Sequence, residues 1–331
     1  MSDLWRKLGV CGALSAMAMA GCTAPQTSEN QGADLPSVVA AFYPLEFIST
    51  EVGGQSVEVS GLTPAGVEPH DLELTAGQIR QLLGADLLVY VGEGFQPAVE
   101  DVLEQMEGEK LDVLAEVDLI EGSDAHAEEH GEGEDGHGEE EHEEHGEGED
   151  GHGEEEHEEH GELDPHVWLD PTRMASITRS VQTALSNMDS ERSADFEANA
   201  DRLVAELETL DAEFEAGLKE CARREIVTSH AAFGYLADRY ELEEIGVSGL
   251  NPEAEVSPRR LQEVAQLVEE KGVTTIFFER LVPRDLAETL ARETGTTTAT
   301  LDPIESPSEQ GDYLSAMRSN LEELRKALDC E

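Results

Sequence analysis

Three histidines stand apart from the other eight in this 331-residue chain. His70 lies in GLTPAGVEPHDLEL, His166 in ELDPHVWLDP and His230 in IVTSHAAFGYL, each where a predicted strand or loop gives way to a helix, beside Pro or Ser. A single histidine in such a place is ordinarily a satisfied surface residue. Three of them at strand ends point elsewhere, because ligands in α/β sheets collect at the carboxyl ends of the strands. With no further histidine in the folded part of the chain, convergence of the three on one metal ion is the expectation.

The remaining eight, His126, His130, His137, His142, His145, His152, His157 and His160, fall between residues 121 and 162. A fifteen-residue block, HGEGEDGHGEEEHEE, starts at His130 and repeats unchanged from His145. Almost nothing in this stretch is apolar. It cannot bury enough surface to offset the entropy of ordering, so a disordered loop is expected. Imidazoles among dense carboxylates offer many partial coordination sets. A chain that must be ordered to use them binds each ion weakly. The tract therefore reads as an auxiliary collector of several ions, whose grip fades as its histidines protonate near ~6.5. The alternative is a solvated acidic spacer whose histidines are incidental. The segment from His126 to His130 formally fits H-x-x-E-H. Its flanks, GSDA and GEGEDG, carry no apolar face to pack a helix, and the match reads as accidental.

Charge narrows the function further. The formal net charge is −54, and residues 121–162 account for 21 of those negative charges, leaving −33 for the rest. A field of that sign repels nucleic-acid phosphates and anionic membrane surfaces. A saline habitat would suit such a surface, since salt screens its self-repulsion.

The N-terminus reads as an export signal covering residues 1–21, with Arg6 and Lys7 ahead of an apolar run too short to span a bilayer. Ala18-Met19-Ala20 fits one cleavage rule, and Met19-Ala20-Gly21-Cys22 resembles a lipobox. Cysteine usage favours the second. Cys221 and Cys330 can pair in an oxidising compartment, which leaves Cys22 over as the site of lipid attachment. The alternative is a soluble exported protein starting near Gly21. Residues 22–36 are polar and suit a flexible tether.

Between these segments the chain alternates strand and helix, the pattern of an α/β layer fold with mainly parallel sheets. SVVAAFYP, SVEVSGL, ADLLVYVG and LDVL read as strands of a first lobe (37–120), with TAGQIRQLLG and FQPAVEDVLEQM as helices. MASITRSVQTALSNM, a helix in 163–187, completes that lobe. Residues 188–222 then keep helical periodicity over some thirty residues, a strut of about 45 Å at ~1.5 Å per residue. In a second lobe (223–331), REIVTSH, LEEIGVSG, TTIFFE and TTTATLDP alternate with helices, one of which Ser257 caps ahead of Pro258.

Five stretches in this order, FYPLEFI, GLTPAGVEPHDLELT, DPHVWLDP, SHAAFGYLADRY and TLDPIE, resemble the zinc-specific solute-binding proteins of bacterial metal ABC importers. The resemblance covers nearly the whole chain after residue 36, including a His- and acid-rich insertion. It implies two α/β lobes joined by one long helix, with the metal in the cleft between them. His70, His166 and His230 would then be imidazole ligands. Asp302 would supply a carboxylate, with Glu68 or water as alternatives. Three neutral imidazoles and one oxygen form a good tetrahedral set for Zn²⁺, although Cu²⁺, Ni²⁺ and Co²⁺ also take nitrogen. Asp71, Asp164 and Glu279 are candidates to orient the rings. The implied function is capture of Zn²⁺ outside the cytoplasmic membrane and delivery to a permease and its ATPase, by a monomer that is not an enzyme. The competing readings are a zinc hydrolase using three histidines and a metal-bound water, and a surface adhesin or metal buffer.

Overall fold

The computed structural model describes residues 35–122, 163–308 and 311–331. The predicted signal, Cys22 and all eight histidines of the tract lie outside the described residues.

Two four-stranded parallel sheets organise the molecule. The first is built from β1 (Ser37–Ala40), β2 (Glu58–Gly61), β3 (Leu87–Tyr90) and β4 (Glu109–Asp112), in the order β2-β1-β3-β4. Between these strands run α1 (Tyr43–Gly53), α2 (Ala76–Leu83) and α3 (Pro97–Glu100). Two long helices follow, α4 (Pro171–Met188) and α5 (Ser193–Leu218). The second sheet comprises β5 (Glu225–Thr228), β6 (Glu243–Gly246), β7 (Thr275–Phe278) and β8 (Thr297–Thr300), ordered β6-β5-β7-β8. Its helices are α6 (Gly234–Arg239), α7 (Pro258–Lys271), α8 (Asp285–Thr294) and α9 (Tyr313–Leu328). The chain is therefore an α/β protein of two lobes with the same strand order in each. That order reverses direction at the first strand of each lobe, where such sheets open a crevice beyond their carboxyl ends.

The two inner strands of each sheet are covered on both faces, which explains their apolar runs, whereas the edge strands β2, β4, β6 and β8 are more polar. In β1, Val38 and Ala40 enter a large central core while Val39 enters a separate one with Leu82, Leu88 and Val99. In the second sheet, Ile226 and Phe277 face the central core, whereas Val227, Ile276 and Phe278 pack beneath α7 and α8. Helix α5 runs through the central core. Its fully buried residues Phe196, Ala200, Leu203, Leu207, Leu210 and Phe214 recur at steps of three and four, one face of a helix. At 26 residues it is about 39 Å long. A Cys221–Cys330 disulfide ties the chain beyond α5 to the end of α9. Among the described residues no helix is long and apolar enough to cross a membrane.

The expected helix over FQPAVEDVLEQM is instead one α-turn, α3, followed by a 3-10 turn at Leu103–Gln105. The backbone here closes i→i+3 bonds, Val102 N–H to the Val99 carbonyl at 3.1 Å and Gln105 N–H to the Val102 carbonyl at 3.0 Å. This tighter winding brings Val99, Val102 and Met106 into one core with Val39 and Leu88. Elsewhere local chemistry decides, as in α7, where Ser257 Oγ accepts the Arg260 N–H at 3.1 Å ahead of Pro258.

Candidate metal centre

The side chains of interest come from loops beyond the strand ends. His70 follows β2, on a loop held by Gln96 Nε2, which donates to the Pro69 carbonyl at 3.2 Å. His166 precedes α4, whose N-cap Asp170 accepts the Thr172 N–H at 2.7 Å. His230 stands two residues beyond β5, Glu279 directly follows β7, and Glu305 lies beyond β8. These loops are fastened across the cleft. Gly66 N–H donates to Ser306 Oγ at 2.7 Å, and Trp168 Nε1 donates to the Pro303 carbonyl at 2.7 Å.

The result is a buried quartet. His70, His166, His230 and Glu305 each offer one ligand atom, and the four atoms all lie within 4.8 Å of one another. His166 Nε2 and His230 Nε2 are 3.4 Å apart, His70 Nε2 and Glu305 Oε1 3.4 Å, and His166 Nε2 and Glu305 Oε1 3.8 Å. A tetrahedral ion with Zn–N near ~2.0–2.1 Å needs ligand atoms about 3.3–3.4 Å apart. His70 Nε2 and both Glu305 oxygens have no hydrogen-bond partner although buried. Unpaired buried polar atoms are rare and costly, and a cation at their centre would satisfy all of them. The far side of two rings is already engaged: His166 Nδ1 lies 2.7 Å from Asp164 Oδ1, and His230 Nδ1 lies 2.7 Å from Glu279 Oε2. Such contacts hold the proton on Nδ1 and turn Nε2 toward the place of a metal. Phe95 packs edge-on against the His70 ring at 4.5 Å, and Trp168 packs against His166 at 5.1 Å.

The profile of the family described as "ZnuA: Zinc-uptake complex component A periplasmic" matches residues 38–327. The chain belongs to this family. It is 32% identical over 303 residues to the zinc-binding lipoprotein AdcA of Streptococcus pneumoniae, spanning 89% of this chain but 56% of that relative. It thus covers little more than half the length of the streptococcal relatives. To the high-affinity zinc uptake system protein ZnuA of Bacillus subtilis it is 32% identical over 320 residues, 94% of this chain and 93% of the relative. Among solved structures, Zn(II)-bound AdcA from Streptococcus pneumoniae superposes with a TM-score of 0.69 at 30% identity, covering 90% of this chain and 58% of that one.

In this ZnuA-family chain the carboxylate that faces the histidines is Glu305, not Asp302. Asp302 is occupied elsewhere: Oδ2 pairs with Arg280 Nε at 2.7 Å, and Oδ1 accepts the Ile304 N–H at 2.9 Å. The second bond is the Asx-turn that Asp before Pro favours. Ile304 then adopts φ 60°, a left-handed conformation that is strained for a β-branched residue. The chain consequently turns inward at Glu305, which is 1% exposed. Only the Asp-Pro turn signal in TLDPIE could have shown that Asp302 is engaged locally. Glu68 stays outside the quartet, with its Oε1 accepting the His70 N–H at 3.3 Å. Asp71 is exposed, whereas Asp164 and Glu279 are buried against their rings.

Burial sets the protonation. It pushes the His70 imidazolium down to about 4, aided by nearby His230, and holds His166 well below the usual range. Both are neutral at pH 7, as ligands must be. Burial also lowers His230, but the Glu279 carboxylate outweighs it and raises this ring to about 9. Glu305 is pushed up to about 8 by burial, and Glu68 to about 7 by burial and by Glu305.

Proposed function

We propose that the protein is a zinc receptor that captures Zn²⁺ outside the cytoplasmic membrane and delivers it to an ABC permease and its ATPase. The observation that carries this reading is the buried quartet of three imidazoles and one carboxylate, in which His70 Nε2 and both Glu305 oxygens have no hydrogen-bond partner. A nitrogen-rich set with one oxygen suits Zn²⁺ better than oxygen-seeking cations. Four protein ligands also fill a tetrahedral shell, which favours a carrier over a hydrolase, because a hydrolase keeps one position open for water. Helix α5 lies inside a core shared by both sheets, so capture and release would move the loops bearing the ligands more readily than the lobes. Cys22 would carry a lipid anchor, residues 121–162 would gather ions weakly near the cleft, and the receptor would act as a monomer.

Metal content and zinc titration of the full chain, of a version lacking residues 121–162 and of His230→Ala test this reading. One tight ion should remain after deletion of the tract, with less metal bound in total. The tight ion should be lost in His230→Ala. Loss of the tight ion on deletion alone, or turnover of a peptide or ester by the loaded protein, would overturn it.

A further inference from the structure

Helix α6 belongs to the second lobe, yet its first two residues are shaped around Asp164, which precedes His166 in the first. Asp164 is 1% exposed, and its Oδ1 takes both groups of His166, the backbone N–H at 2.9 Å and ring Nδ1 at 2.7 Å. Its Oδ2 stands closer to the place of a Cβ on Gly234 than any real Cβ contact, so a side chain at that position would force the carboxylate to shift. Gly234 is thus required by close approach and not by its backbone angles. The next residue, Tyr235, is fully buried, and its hydroxyl donates to the Asp164 carbonyl at 2.9 Å. The same hydroxyl accepts the Ile120 N–H at 3.2 Å, and the Arg173 guanidinium covers its ring at 4.5 Å.

We propose that Gly234 and Tyr235 are positioning residues for His166. Gly234 leaves the room that Asp164 needs, Tyr235 holds the Asp164 backbone, and Asp164 turns the imidazole so that Nε2 faces the ion. A carboxylate on the far nitrogen fixes the tautomer and the ring plane together. The arrangement has a further consequence. His230 lies four residues before Gly234 on the loop that enters α6, so one short stretch references two ligands drawn from two lobes. The 3.4 Å separation of His166 Nε2 and His230 Nε2 is then set by that stretch and not by how closely the lobes approach.

This inference rests on the zinc-site reading, so the wild-type chain is the first arm of the test. Zinc affinity by chelator competition and the visible spectrum of the Co²⁺-loaded protein are compared for wild type, Gly234→Ala, Tyr235→Phe, Asp164→Ala and Gly234→Ala/Asp164→Ala. Gly234→Ala should lose about ten- to a hundredfold in affinity, the range for a partner that orients a ligand, and should change the cobalt spectrum. Once Asp164 is alanine, adding Gly234→Ala should cost less than about twofold, because the effect passes through that carboxylate. Tyr235→Phe adds no atoms. It serves where the Gly234 variant does not fold, and should lose several-fold in affinity with a shifted spectrum. Wild-type affinity and spectrum in both single variants, or additive losses in the double variant, would overturn the inference alone. Failure of the wild-type chain to bind Zn²⁺ would overturn the site reading beneath it.

Discussion

His166 and His230 are fully enclosed, and each has its Nδ1 within 2.7 Å of a carboxylate. His70 and Glu305 complete the quartet but differ in support: His70 Nε2 and both oxygens of Glu305 have no hydrogen-bond partner, and Glu305 follows a residue in a left-handed conformation. The first pair is oriented before any ion arrives. The second pair stands in the right place while remaining unsatisfied. An unsatisfied buried polar group costs about 1–3 kcal/mol, and backbone strain such as that at Ile304 costs of order 1–3 kcal/mol more. An ion would therefore bind an aligned pair and satisfy the polar atoms of the other, while the turn at Ile304 keeps its strain. Release would then call for movement of the second pair alone, which suits the carrier role proposed above.

Four measurements break or sharpen this contrast. The largest effect should come from His230→Ala, which removes half of the aligned pair. Zinc affinity should fall by more than about a hundredfold, above the range for losing an orienting partner, as read by chelator competition. Glu305→Gln should cost roughly a hundredfold by the same assay while Asp302→Ala costs less than about fivefold, the scale of 1 kcal/mol. The reverse ranking would give the fourth ligand position back to Asp302.

Proton release measures the contrast differently. At pH 7 His70, at about 4, and His166, well below its usual range, have no proton to lose. His230 at about 9 and Glu305 at about 8 each hold a proton that the ion must displace. Apparent affinity should rise about tenfold or more per pH unit from 6 to 8 and flatten above about 9, with protons released on binding. Calorimetry in buffers of different ionisation enthalpy reads this directly, and proton uptake on binding would contradict it. The smallest effect should be that of salt. Screening acts on exposed charge, over about 10 Å at 0.1 M. Molar KCl should raise the melting temperature of this acidic chain by several degrees while leaving the affinity of the enclosed quartet within a fewfold. A salt-sensitive affinity would mean the site is more open than its burial indicates.

Much of the architecture was legible beforehand. Continuous apolar runs such as ADLLVYVG announced strands covered on both faces, and the three- and four-residue steps of α5 announced a long buried helix. The scarcity of histidine outside the repeated tract pointed to His70, His166 and His230. Over FQPAVEDVLEQM the apolar spacing suits a continuous helix and a run of tighter i→i+3 turns alike, and only the packing of Val99, Val102 and Met106 separates the two. Glu305 was missed for a related reason. Asp302 and Glu305 sit three residues apart in TLDPIES, and both are acidic. Which of them faces the cleft depends on an Asx-turn and a left-handed residue between them. Nothing in the local sequence sets Gly234 apart from any small residue near a helix start; the need for glycine comes from Asp164 pressed against it.

The sequence by itself determined the alternation of strands and helices, the cysteine pair and the three imidazoles, because each is written in short-range patterns or in residue scarcity. Only the tertiary structure decided which carboxylate meets those imidazoles and which residues orient them. Such contacts join positions like Trp168 and Pro303, or Asp164 and Tyr235, that lie 135 and 71 residues apart. Their geometry exists only once the two sheets share a core.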